Sequence, residues 1–262
     1  MIYHYTTLEG LKGIVESETL WATAVRYLND VSEMNVFIQY IYNWLVRTSS
    51  NPVFPAVFNE RIKKLVNEVW EDYYAVSCST VDDSLTLWSE FSGDFGCEIA
   101  FEESSLIAQN RVDSSVKFFG MKNVTYSYTE SVPELTKKIQ QLNTEVFKDN
   151  NIDQMLEDKK ADVFYKDILE TAIYYKMQQF ASEQEFRFAF YAGNGIGRNH
   201  RVRSGLIIPY IKVPINLDSI KYVRINPYNK DGWILNSLQG FLKSKGICRP
   251  IVYPSNISLR YY

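Results

Sequence analysis

Apolar and polar positions alternate through Glu183-Gln184-Glu185-Phe186-Arg187-Phe188-Ala189-Phe190, a pattern that predicts a strand over 183–190 with two unlike faces. Phe186, Phe188 and Phe190 fall on one face, and Glu183, Glu185 and Arg187 share the other. At the start of the chain, residues 2–6 predict a short strand. Thr7 then stands as a helix cap ahead of Leu8, Leu11 and Ile14 at helical spacing. Residues 19–25 alternate as a second strand, and Met34, Phe37, Ile38, Ile41 and Leu45 stripe a helix over 33–47 that the Asn51-Pro52 break ends. Val57, Ile62, Leu65, Val66 and Val69 predict a helix over 56–72, followed by a strand near 73–78 and a buried strand over 95–101.

The second half continues the mixture. Two extended segments are expected within 115–128, around Lys122-Asn123. The stretch 132–181 is helical in pattern, interrupted at Asp149-Asn150-Asn151, with Phe164, Ile168, Ala172 and Phe180 on one stripe. A loop at Gly193–Gly197 precedes strands near 204–213 and 219–225, a helix near 231–244 and a last strand near 248–253. Without repeats, linkers or low-complexity tracts, the simplest expectation is a single α+β domain over 1–262 with a helical insertion at about 132–181.

Composition narrows the function classes. With 262 residues, 46% of them hydrophobic, the chain has enough apolar material for a sizeable core, and its 15% aromatics supply ring surface for packing and for a cleft. A formal charge of −3 argues against a protein that coats nucleic acid, although Arg198, His200, Arg201 and Arg203 form a local basic cluster. Cys78, Cys97 and Cys248 lack metal or disulfide spacing, which leads to the expectation of a reduced, cytoplasmic compartment. Neither an export signal nor a membrane span is expected. His4 and His200 are the only histidines, so a multi-histidine metal centre is excluded by count.

Each chemical motif has a bland alternative. Carboxylates two residues apart on one face repel unless a cation intervenes, and Arg187 is that cation; an ordinary solvated face with one Glu–Arg pair fits equally well. Asn29-Asp30-Val31-Ser32-Glu33 reads as a turn and helix cap, or as a loop that brings Asn29 or Asp30 to the cleft of His4. Trp88 is either core or a stacking ring. Gly193–Gly197 lacks the strand–glycine–helix context of a dinucleotide fingerprint and reads as a turn, while the basic residues after it would grip pyrophosphate or a nucleic-acid backbone if they faced the cleft.

Together, the first strand Tyr3-His4-Tyr5-Thr6, the helix after it and the late Glu183-x-Glu185 resemble the ADP-ribosyltransferase fold, a split mixed β-sheet. That resemblance implies NAD as substrate. It further implies that His4 bonds the adenosine ribose, that backbone beside Tyr5 and Thr6 holds the nicotinamide amide, and that Glu183 or Glu185 contacts the nicotinamide ribose. On this reading Glu185 stabilises the sugar cation, Glu183 orients or deprotonates the acceptor, and the two roles are interchangeable. Arg187 keeps both acids ionised, Lys176 or Arg26 contacts phosphate, and Tyr126, Tyr128 and Trp88 are the rings available for stacking. No resident metal is implied.

The chain is also similar to a widespread bacterial family, the domain of unknown function 2971. The matching motifs are Tyr3–Thr6, Asn29-Asp30 with Glu33, Ser77 and Ser79 before Asp83-Ser84, Trp88 with Phe91 and Gly96, Val124 with Tyr126, the run Lys176, Phe180, Glu183, Glu185 and Arg187, and Ser255-Asn256-Ile257 with Arg260. The two resemblances imply transfer of ADP-ribose to RNA, DNA or protein in a toxin or phage-defence setting, with a partner protein or antitoxin. Two other classes compete: a nuclease holding a divalent ion on Glu183, Glu185 and Asp30 or Asp83, and a non-catalytic module that binds a nucleotide or a partner.

Overall fold

A computed structural model describes residues 1–28, 33–49, 51–126, 137, 159–228, 231–247 and 251–258. The chain is a mixed α/β structure in which an open mixed sheet packs against helices. β1 (Ile2–Thr7) runs into α1 (Leu8–Ser17), where the Thr7 hydroxyl accepts the Gly10 N–H at 3.0 Å and satisfies one of the amides that a first helical turn leaves open. β2 (Thr19–Ala24), α2 (Glu33–Thr48), α3 (Phe54–Val69), β3 (Tyr73–Ser79) and β4 (Gly96–Phe101) follow close to where periodicity predicts them. β5 (Lys117–Asn123) is one strand rather than two, followed by an isolated bridge from Thr125 to Tyr175. Within the expected helical insertion the described elements are α4 (Lys159–Ala172) and a 3-10 turn, Gln178–Glu183. Most of 132–158 lies outside the described residues, as do Asn29, Asp30, Tyr128 and Cys248.

β6 (Glu185–Tyr191) begins two residues later than the alternation predicts. Glu183 ends the 3-10 turn and Gln184 takes a left-handed conformation (φ 40°), so Glu183 approaches Glu185 across a turn and not along a pleat. The strand expected near 204–213 is the second arm of a hairpin, β7 (Asn199–Arg203) and β8 (Leu206–Pro214). Its two-residue turn places Ser204 and Gly205 at positive φ (50° and 78°), as tight hairpins require. β9 (Ile220–Ile225), α5 (Gly232–Ser244) and β10 (Ile251–Pro254) complete the described chain.

The sheet runs β10-β9-β4-β1-β3-β2-β8-β7, and β3 also pairs along its whole length with β6, whose other edge carries β5. Only β10 and β9 pair in parallel among the described strands. Because β6 occupies one edge of β3, β1 and β2 share the other. β1 reaches it at Tyr3↔Ser79 alone, and β2 at Thr23↔Ala75 and Ala24↔Tyr74. Between those contacts, opposite Val76–Cys78, the sheet splits.

Two cores cover β3 and β6. Phe186, Phe188 and Phe190 pack with Val76 and Cys78 against residues of α1 and α5, while α2, α3 and α4 close over Ala75 and Ala189 on the opposite face. The polar face of β6 is therefore buried under helices, and the solvated-face alternative for Glu185 and Arg187 fails: they are 5% and 1% exposed. Alternation distinguishes two faces but does not report what covers them.

Candidate functional site

The split opens into a cavity of about 610 Å³ whose walls come from β1, β2, β3, β6 and β7. His4 spans part of the gap, with Nδ1 3.1 Å from the Ser77 carbonyl oxygen. A carbonyl only accepts, so Nδ1 carries the proton and Nε2 is left as the acceptor of the neutral ring. Burial lowers the His4 pKa, the Ser77 bond opposes this, and nearby Arg201 lowers it further. The pleat sets His4 on the opposite side of β1 from Tyr3 and Tyr5, yet all three line the cavity because it passes through the sheet at the split.

Glu183, Glu185, Lys176 and Arg187 meet on another wall of the same cavity, all buried. Arg187 grips Glu185 with two bonds, Nε to Oε1 at 2.6 Å and Nη2 to Oε2 at 2.8 Å, and its Nη1 donates to the Ile173 carbonyl at 2.5 Å. Lys176 Nζ bridges the acids, 2.7 Å from Glu183 Oε2 and 3.2 Å from Glu185 Oε2. Burial alone would push the Glu185 carboxyl up, but the Arg187 guanidinium and Lys176 outweigh it and hold it at about 2. For Glu183 burial prevails over Lys176 and its pKa is raised. Glu185 thus has both oxygens occupied by cations, whereas Glu183 meets Lys176 through Oε2 only.

The other residues singled out by sequence separate into two groups. Tyr5 and Thr6 line the cavity, and the Tyr5 hydroxyl donates to the Val81 carbonyl and accepts the Ser84 N–H, each at 3.0 Å. Trp88 does not face the cavity. It is fully buried against Tyr5, ring centroids 5.0 Å apart, and its Nε1 donates to Asp83 Oδ1 at 3.0 Å. Tyr126 also lies off the cavity lining and supports the site from behind, its hydroxyl accepting the Glu185 backbone N–H at 2.8 Å; burial pushes that hydroxyl up to about 12. From the basic cluster, Arg201 and Arg203 line the cavity, while Arg198 pairs with Asp72 at 3.0 Å and bonds the Tyr74 hydroxyl.

Sequence reasoning missed a second buried network. Glu98, fully buried on β4, faces Arg224 on β9 as a direct cross-strand pair, with Arg224 Nη1 3.2 Å from Oε1. The Asp83 N–H donates to Glu98 Oε2 at 2.6 Å, and Arg224 also lies 3.2 Å from Asp82. Burial raises Glu98 to about 7 against the pull of that N–H and of Arg224. Asp83 in turn accepts Ser255 Oγ at 2.6 Å and the Asn256 N–H at 2.7 Å, tying the end of the described chain to the network. The available signal was an acid inside the otherwise apolar Gly96–Phe101.

Residues 87–188 match the model of a family described as "Protein of unknown function (DUF2971)", which supports the membership expected from the motifs. The matched range holds Trp88, Lys176, Glu183, Glu185 and Arg187; His4 and Ser255–Ile257 fall outside it. No curated protein and no solved structure matches the chain. Among the described residues no helix is long and apolar enough to cross a membrane.

Proposed function

We propose that this protein is an ADP-ribosyltransferase-like enzyme that binds NAD in the cavity at the split and passes ADP-ribose to a macromolecular acceptor, RNA, DNA or protein. The observation that carries this reading is the lining of one cavity by His4 from the first strand and by Glu183 and Glu185 beside β6. The volume lies within the range of about 300–1,000 Å³ usual for small-molecule sites. Neutral His4 offers Nε2 to a ribose hydroxyl.

As the glycosidic bond breaks, its electron pair leaves with nicotinamide and positive charge develops on the sugar. Glu183, the acid with the less occupied carboxylate, accepts a hydrogen bond from a sugar hydroxyl and stabilises that charge. The acceptor then attacks the sugar carbon, and its proton passes to the Glu183 carboxylate. Glu185 is a positioning residue: it fixes Arg187 and Lys176, and through Lys176 it sets the place and charge of Glu183. The donor set suits a metal-dependent nuclease poorly, because both glutamates are already compensated by cations and Asp83 is committed to Trp88, Ser255 and Asn256.

The test is nicotinamide release from labelled NAD, with and without magnesium, by the protein and its Glu183→Gln and Glu185→Gln variants. Release should be independent of magnesium and fall by about 100-fold or more in Glu183→Gln. Because Glu183 must be ionised and its pKa is raised, release should also decline as pH drops through that pKa. Absence of release with every acceptor pool, together with no thermal protection by NAD, would overturn the reading; nucleotide binding without release would favour the non-catalytic module.

A further inference from the structure

The β7 wall of the cavity is cationic, although Glu9 of α1 also lines the cavity. Arg201 and Arg203 stand two residues apart on β7, so their side chains leave the same face, and both line the cavity. Arg201 is held in place: Nη2 donates to Thr23 Oγ1 at 2.8 Å, and its guanidinium carbon lies 5.6 Å from the Trp21 ring and 6.0 Å from the Tyr210 ring. Those rings stack on each other at 4.3 Å. Arg201 Nε is buried without a hydrogen-bond partner. Among the described residues neither arginine forms an ion pair, whereas Lys176, Arg187 and Arg224 each meet at least one acid. Burial, and then the charge of Arg203, lower the Arg201 pKa.

A buried N–H without an acceptor and two cations on one wall both cost free energy that an anion between them recovers. Guanidinium forks match the oxygens of a phosphate group, and a diphosphate has enough oxygens for both. The Trp21–Tyr210 pair fixes the Arg201 fork from behind, through cation–π contact.

We propose that the β7 end of the cavity is a phosphate-binding subsite in which Arg201 and Arg203 take the phosphate oxygens of a nucleotide. This goes beyond the transferase reading, since a phosphate seat does not depend on chemistry at Glu183. The same phosphate chemistry is presented by a free nucleoside diphosphate and by a single-stranded nucleic acid, and the experiment separates the two.

Binding of ADP, adenosine and a single-stranded oligonucleotide is measured by calorimetry for the protein and for Arg201→Gln and Arg203→Gln. ADP should bind about ten-fold or more tightly than adenosine. That preference should vanish in Arg201→Gln and shrink in Arg203→Gln, whose exposed side chain leaves the melting temperature unchanged. Oligonucleotide binding that both arginine variants lose, without ADP binding, supports the subsite with a nucleic-acid strand as its source. The proposal is overturned if ADP and the oligonucleotide bind no better than adenosine, or if Arg203→Gln and Arg201→Gln bind both as the unaltered protein does. ADP binding that the arginine variants weaken, while no form of the protein releases nicotinamide, would leave the subsite standing and the transferase reading failed.

Discussion

Two buried glutamates on the same sheet respond in opposite ways to equal concealment. Glu185 is 5% exposed and Glu98 not at all, yet the first is held at about 2 and the second pushed up to about 7. The difference lies in the local balance of charge. Around Glu185, among the described residues, two acids meet two cations, one of them a guanidinium bonded twice to the same carboxylate. Around Glu98, Arg224 is the one cation among the described residues that serves Glu98, Asp82 and Asp83, so there Glu98 competes with two other acids for it. Burial sets the size of the electrostatic effects, and the ratio of partners sets their sign.

The sharpest way to break the contrast is Arg187→Met, which leaves Glu185 buried with Lys176 as its remaining cation. Stability should fall by about 3–5 kcal/mol in urea unfolding. Adding Glu185→Gln should restore part of that loss, since the double variant no longer buries an undercompensated charge. A single variant as stable as the unaltered protein would mean that the pair contributes nothing net.

Stability against pH separates the two glutamates next. Glu185 is depressed from the ordinary 4.5, so its contribution is present above about 4.5 and is lost as pH falls toward 2. Glu98 is raised, so its contribution is present below about 4.5 and is lost as pH rises through 7. Glu98→Gln removes the second titration. Between pH 4.5 and 7 the variant should therefore gain on the order of 2–3 kcal/mol relative to the unaltered protein, read from denaturant unfolding at a series of pH values. Parallel curves for the two proteins would place the Glu98 pKa near its ordinary value.

The smallest effect is expected at Asp83, whose carboxylate accepts three hydrogen bonds from Trp88, Ser255 and Asn256. Asp83→Asn keeps one oxygen and should cost about 1–2 kcal/mol. Amide exchange at Asn256 should accelerate, while exchange across β6 stays unchanged. Equal acceleration in both places would show that the two networks are coupled.

Much of the frame was legible in the sequence, and for identifiable reasons. β1, α1 and the Thr7 cap follow from local spacing alone, and β3 and β4 are apolar runs of strand length. Glu183 was misplaced because Gln184 adopts a left-handed turn without the glycine or asparagine that normally marks one. β7 was missed because its Asn-His-Arg-Val-Arg has only one apolar residue and belongs to a basic wall, not a core face. Asn29 lies outside the described residues, and Trp88 illustrates the ambiguity of aromatics: nothing in its neighbours distinguishes a ring that stacks on a ligand from one sealed beneath Tyr5. Glu98 and Arg224 are 126 residues apart, and only the β4–β9 register brings them face to face.

The single rung between β1 and β3, Tyr3↔Ser79, also has a mechanical meaning. Prising two strands apart normally requires rupturing a ladder of hydrogen bonds, one after another. Here the seam is already open opposite Val76–Cys78, held by that rung at one end and by an imidazole lodged against Ser77. A guest wedged into the seam would meet backbone that has no ladder left to unzip, so the protein can admit it without dismantling its own scaffold.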